Sequence, residues 1–204
     1  MTRYAMVIDL NTCVGCNACM AACSIENQAP IWKGAWRTWV HDKEFGSGDD
    51  VIRRFFPRLC NHCSNPPCVT VCPTGATYAI DNGIIMLDEA ACMGCGACAL
   101  ACPYKARYSI TYDDIDKGRE FYGSDFKRKH PCVDKCDFCA HRVAKGEKPA
   151  CVETCVGTAR MFGDLDDPDD PITKLVATGR AKPLMPYLGT NPNVYYIEDS
   201  KRKG

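Results

Sequence analysis

Short apolar stretches alternate with polar ones along this chain, and each predicts a small element. Tyr4–Asp9, YAMVID, reads as a strand. Thr77–Asp88, TYAIDNGIIMLD, reads as a hairpin, with Asn82-Gly83 a favoured two-residue turn. CMAACSIEN and CALACPYKA start short helices whose alanines suit close packing. Toward the C-terminus a short helix is expected near 171–178 and a strand over NVYYI. GDLDDPDDP, just before them, reads as a turn and helix cap; it lacks the alternating ligands and the glutamate of a calcium loop. Trp32, Trp36 and Trp39 fall at helical spacing. Residues 104–131 form a polar, charged insertion. The longest apolar runs are far shorter than the roughly 20 residues of a membrane helix. The pattern predicts an α+β protein of small elements, with no direct membrane span.

Cysteine punctuates these stretches. The chain has 204 residues and 17 cysteines, near the level at which cysteine, rather than apolar bulk, organises a fold. The formal net charge is zero, so nothing resembles a basic footprint for nucleic acid. Sixteen cysteines fall into four groups: Cys13, Cys16, Cys19 and Cys23; Cys60, Cys63, Cys68 and Cys72; Cys92, Cys95, Cys98 and Cys102; Cys136, Cys139, Cys151 and Cys155. Cys132 is left over. Each group ends in Cys-x-x-x-Cys, so the chain is an internal repeat of one cysteine unit. The odd count argues against a secreted disulfide framework. The start, MTRYAMVIDL, shows neither an apolar signal core nor a twin-arginine pair.

Which chemistry uses four thiolates packed this tightly? Adjacent Cys-x-x-Cys runs would close many strained disulfide rings. Zinc takes four ligands around one ion, commonly from two separated pairs; the second and fourth groups alone suit it, the triple runs of the first and third do not. A [4Fe–4S] cube takes one thiolate per iron. In the bacterial two-cluster pattern C-x2-C-x2-C-x3-C-P, the fourth cysteine serves the other cube. Cys92–Pro103 matches throughout, Cys13–Cys23 matches until Ser24 replaces the proline, and Cys60–Pro73 has a longer middle gap. Gly94-Cys95-Gly96 lies inside a cluster loop, where glycine lets the backbone come close to the cube. There is no nucleophile elbow, P-loop or dinucleotide fingerprint. The reading is a chain that conducts electrons and is not by itself an enzyme.

RYAMVIDLNTCVGCNACMAAC, CNHCSNPPCVTVCPTGATY, CPYKARY, KCDFCAHRVAKGEKPACVETC and FGDLDDPDDP, in this order, resemble the four-cluster iron–sulfur subunit of the dimethyl sulfoxide reductase family of molybdopterin oxidoreductases. The resemblance runs through the whole chain. Within the family it is similar first to the small subunits of polysulfide and thiosulfate reductases, then to that of respiratory arsenate reductase, so the expected role is in polysulfide or thiosulfate reduction, with arsenate, tetrathionate and dimethyl sulfoxide as the alternatives. It implies two bacterial-type, two-cluster ferredoxin-like domains with loop insertions and a C-terminal tail. Residues 1–50 plus 131–165 would form a discontinuous first domain, residues 51–130 an inserted second, and residues 166–204 an extension. It implies four [4Fe–4S] clusters as cofactors. Cys13, Cys16, Cys19 and Cys155 would hold one cube; Cys136, Cys139, Cys151 and Cys23 its neighbour; Cys60, Cys63, Cys68 and Cys102 a third; Cys92, Cys95, Cys98 and Cys72 the fourth. It also implies two partners, a catalytic subunit with a bis-pterin molybdenum or tungsten cofactor and a membrane anchor subunit linked to quinol. The expected location is periplasmic, at the outer face of the cytoplasmic membrane, reached through those partners.

Other readings stay open on the residues alone: a free polyferredoxin, or a zinc-stabilised interaction module. The long segments outside the repeats favour a subunit over a minimal carrier. Val156 follows the last cysteine where the family often has proline, which restores a backbone donor near a cube. Cys132 is expected to be a spare thiol packed as a small hydrophobe, because the fourth group is complete without it. His62 is expected to hydrogen-bond near a cube or face a partner, or else to lie on a plain polar surface. The three tryptophans are read either as an anchor patch for a large subunit or as core filling.

Overall fold

A computed structural model describes residues 2–198. Its strands are β1 (Tyr4–Asp9), β2 (Thr38–Phe45), β3 (Ile52–Leu59), β4 (Thr77–Ala79), β5 (Ile85–Leu87), β6 (Tyr108–Ile110), β7 (Cys132–Asp134), β8 (Arg160–Asp164), β9 (Ala181–Pro183) and β10 (Val194–Ile197). Its helices are α1 (Ala18–Asn27), α2 (Pro67–Thr70), α3 (Ala97–Leu100), α4 (Tyr112–Tyr122), α5 (Ala140–Val143), α6 (Ala150–Glu153) and α7 (Pro171–Ala177). The class is α+β, as the pattern predicts.

The largest sheet has the order β8-β1-β10-β9. β1 is its hinge between two cores. Met6 and Ile8 face a large core with Leu59, Ile84, Phe138 and Tyr196. Ala5 and Val7 face a smaller one with Ile172 of α7 and Ile197. Burial on both faces explains why YAMVID is almost continuously apolar instead of alternating. β10 pairs with β1 in parallel, Met6 opposite Val194, and β8 pairs antiparallel, Val7 opposite Met161. Three two-stranded ribbons complete the fold: β2-β3, β4-β5 and β6-β7.

The C-terminal segment begins as expected. Asp170 caps α7, its side chain accepting from the Ile172 N–H at 2.9 Å, with Pro171 in the first turn. Two expectations fail. The tryptophans share no helix: Trp32 sits in a single 3₁₀ turn (Ile31–Lys33), Trp36 in a loop and Trp39 on β2. Only Trp39 lies on the β2-β3 ribbon, where it is exposed, so the spacing reflects no shared element. The β4-β5 hairpin closes differently too. Ile80 N–H donates to the Ile84 carbonyl, and Gly83 N–H to that of Ile80. The loop is thus three residues long, with Gly83 at φ +80°, where glycine carries no Cβ penalty.

α4 emerges from the charged insertion. Thr111 and Asp114 form a capping box, with Thr111 N–H donating to Asp114 Oδ2 at 2.9 Å and Asp114 N–H to Thr111 Oγ1 at 3.3 Å. The Thr-x-x-Asp signature was present in the sequence.

Candidate functional site: four cysteine quartets

None of the seventeen cysteines forms a disulfide. The four runs converge in pairs. Cys13, Cys16 and Cys19 line one cavity together with Cys155, from the far end of the chain. Cys92, Cys95 and Cys98 line another with Cys72. The Cys63 thiol is pushed up to about 12 by burial and by the neighbouring Cys60, Cys68 and Cys102. Burial also drives up Cys23, close to Cys151 and Cys139, and Cys136, close to Cys23 and Cys151. The fold therefore gathers Cys13/16/19/155, Cys23/136/139/151, Cys60/63/68/102 and Cys72/92/95/98. Cys136 and Cys60 lie close enough to repel each other as thiolates, which makes the second and third quartets neighbours. Cys151 likewise feels Cys19 of the first quartet.

The loops explain how short runs surround a space. In the first Cys-x-x-Cys of each group the residue before the second cysteine has a left-handed backbone: Gly15 (φ +68°), His62 (+43°), Gly94 (+71°) and Phe138 (+52°). This curls the chain so that sulfurs and N–H groups face inward. Phe138 N–H, for instance, donates to Cys136 Sγ at 3.4 Å. Gly15 is needed for space as well, since a Cβ there would enter the Phe55 ring at 2.3 Å. His62 and Phe138 take on about 1–2 kcal/mol of strain each in this conformation. Their rings stack on one another, centroids 3.7 Å apart, and join the second quartet to the third.

His62 is fully buried, which rules out the polar-surface reading. Its Nδ1 accepts from the Ile85 N–H at 3.0 Å, so Nε2 carries the ring proton. Burial, with Lys135 and Arg107 nearby, holds the ring neutral. That Nε2 and the side-chain amide of Asn61 have no protein partner. The two donors among these atoms, His62 Nε2–H and Asn61 Nδ2, lie between two cysteine ligands and suit a group that brings acceptors of its own, as the sulfides of a cube do. Among the described residues no three His, Cys, Asp or Glu side chains converge as around a single ion. The residues fit [4Fe–4S] cubes.

Side-chain donors reach the sulfurs too, and sequence reasoning passed over them. Asn27 Nδ2 lies 3.6 Å from Cys23 Sγ and 3.7 Å from Cys139 Sγ. Arg37 holds the Asn27 amide by donating to Oδ1 at 2.8 Å. Arg37 in turn donates twice to buried Asp134, at 3.1 and 2.8 Å, and Arg128 and Tyr108 donate to the same carboxylate at 2.9 and 2.6 Å. Burial works against the Asp134 charge, but Arg37 and Arg128 outweigh it and hold the carboxyl well below its usual range. Cys132 belongs to none of the quartets' loops. It is fully buried against Ile110, Ile115 and Phe126, and burial raises its thiol to about 12.

Comparison with known proteins agrees with this geometry. Two 4Fe–4S dicluster domain families match the chain, one over residues 51–119 and 121–165, the other over residues 12–76. The chain is 43% identical over 199 residues to a tetrathionate reductase subunit of Salmonella typhimurium, covering 96% of this chain and 72% of that protein. It is 35% identical over 200 residues to a polysulfide reductase chain of Wolinella succinogenes, covering 98% and 96%. It is also 35% identical over 226 residues to the arsenate respiratory reductase iron–sulfur subunit of a Shewanella species, covering 96% of each.

Proposed function

Because this protein belongs to the iron–sulfur subunits of the dimethyl sulfoxide reductase family of molybdopterin oxidoreductases, we propose that it relays electrons through four [4Fe–4S] cubes between a molybdopterin catalytic subunit and a quinone-linked membrane subunit. The observation that carries this reading is the convergence of sixteen cysteines into four neighbouring quartets. Cys13, Cys16, Cys19 and Cys155 hold the first cube; Cys136, Cys139, Cys151 and Cys23 the second; Cys60, Cys63, Cys68 and Cys102 the third; Cys92, Cys95, Cys98 and Cys72 the fourth. Two ferredoxin-like units, residues 1–50 with 131–165 and residues 51–130, carry two cubes each. The cubes supply one-electron steps. The chain's own residues fix their order, exclude water and aim donors at sulfur.

The terminal substrate is an oxidised sulfur compound, tetrathionate or polysulfide, supported by 43% identity to a subunit of a tetrathionate reductase. Arsenate is the second reading, supported by similarity over almost the whole length of an arsenate reductase subunit. No helix among the described residues is long and apolar enough to cross a membrane, and the outer face of the cytoplasmic membrane is reached through the partners.

Two measurements test this. Chemical analysis of the native complex, isolated without oxygen, should find about 16 irons attributable to this chain, four per cube. Reduced viologen should then be oxidised on adding tetrathionate or polysulfide. Oxidation by arsenate alone would overturn the substrate, and two metal ions or fewer per chain would overturn the wire.

A further inference from the structure

Among the described residues four arginines are buried: Arg37, Arg107, Arg128 and Arg160. Two are neutralised in the ordinary way, Arg37 by Asp134 and Asp137, Arg128 by Asp134 and Glu89. Arg107 and Arg160 differ. Among the described residues neither forms an ion pair with a carboxylate, and each aims its guanidinium at cysteine sulfur. Arg107 Nη2 donates to Cys68 Sγ at 3.1 Å. Arg160 Nη1 lies 3.6 Å from Cys151 Sγ. The other arm of each fork is tied to a threonine hydroxyl, Arg107 Nη1 to Thr77 Oγ1 at 3.1 Å and Arg160 Nη2 to Thr38 Oγ1 at 2.7 Å.

The repeat itself places them. Each follows the last cysteine of a run by five residues and is preceded by alanine: Cys102-Pro-Tyr-Lys-Ala-Arg107 and Cys155-Val-Gly-Thr-Ala-Arg160. Each therefore enters its own ferredoxin unit at the corresponding point. Both direct sulfur contacts fall on the quartets that meet across Cys60 and Cys136, and Arg160 also lines the Cys13, Cys16, Cys19 and Cys155 cavity, so its charge lies between the first and second quartets.

A guanidinium stays charged at any working pH, so burying one without a counter-charge is costly. The counter-charge is supplied once a cube is bound, because an oxidised cube with its four thiolates carries about −2 and gains one more negative charge on reduction. A fixed cation that donates to a ligand sulfur favours the more negative state, and does so most strongly where water is excluded.

Resting on the four-cube reading above, the geometry points to Arg107 and Arg160 as potential-setting residues, fixed charges that make the cubes they face easier to reduce, Arg107 the third cube and Arg160 the second, with the first beside it. They are positioning residues, not catalytic ones.

The test is an EPR-monitored potentiometric titration of the intact complex carrying Arg107→Gln, Arg160→Gln, Arg107→Lys or Arg160→Lys, with iron per chain measured alongside. Each Gln variant should keep its iron. In each, the reduced-to-oxidised ratio of one cube at fixed potential should fall at least tenfold, about 59 mV for a one-electron couple. The remaining cubes should move less. Each Lys variant, which keeps the charge, should stay within that tenfold band. Full iron with unmoved midpoints in both Gln variants would overturn the inference and leave the wire standing. If a Gln protein loses iron, its Lys counterpart decides: a midpoint inside the band supports fixed charge, and a fall as large as tenfold overturns it. A wild-type complex with fewer than four cubes would instead sink the proposed function itself.

Discussion

Asp134 is the carboxylate on which the two halves of the chain meet. Arg37 comes from the segment after the first cysteine run, while Tyr108 and Arg128 lie toward the two ends of the charged insertion, and all three donate to it inside the protein. Asp134→Asn keeps the shape and removes the charge. It leaves Arg37 with Asp137 as its remaining carboxylate partner and Arg128 with Glu89. It also loosens Arg37, which holds the Asn27 amide against Cys23 and Cys139. Removing one partner of a buried charge pair costs about 3–5 kcal/mol. For a chain of this length each kcal/mol moves the melting midpoint by about 2–4 °C, so the expected fall is roughly 6–20 °C. The assay is anaerobic heating of the holo-protein, followed by bleaching of cluster absorbance. The control is Asp116→Asn, which breaks an exposed pair with Arg119 and should change the midpoint by less than about 2 °C. A midpoint for Asp134→Asn as close to wild type as the control would refute the argument that this buried network joins the halves.

Thr111→Ala removes the cap of α4 at a cost of about 1 kcal/mol, and hydrogen exchange of the α4 amides should accelerate about fivefold; unchanged exchange would count against the capping box. The Asp114 carboxyl is pushed up by burial but pulled further down by Lys33 and Thr111. Being depressed, it contributes stability that is present above its unfolded value of about 3.9 and is lost as pH falls through the lower folded value. Asp114→Asn should therefore cost the same in denaturant titrations from about pH 8 to pH 5, and a cost that faded over that range would contradict this assignment. Cys132→Ala should leave iron per chain unchanged and lower the midpoint by roughly 2–4 °C through about 1 kcal/mol of lost burial; loss of iron would make Cys132 a ligand. Val156→Pro removes a backbone donor beside Cys155 and should lower the potential of that cube with iron intact; equal potentials in the two proteins would sink the idea.

Spacing alone was enough to read the chemistry of this chain. Three cysteines within seven residues can reach one cube and little else, because the geometry of a Cys-x-x-Cys loop is local. For the same reason β1, the start of α1, the cap at Asp170 and β10 were legible: each depends on its own residues and immediate neighbours. Partnership between the runs is not local. Cys155 meets Cys13 only because β8 and β1 pair, so local sequence could not give that partnership, and the ligand sets came from resemblance alone. The β2-β3 ribbon was hidden because Trp39, its one tryptophan, shares a helix-like spacing with Trp32 and Trp36, and only pairing between the strands chose. His62 could not be placed because a histidine between two cysteines is the same letter whether it faces water or stacks on Phe138. The two arginines are the intermediate case. Their position five residues past a cysteine was written in the repeat, but that their charge faces sulfur and not carboxylate follows only from which side chains the folded chain leaves around them.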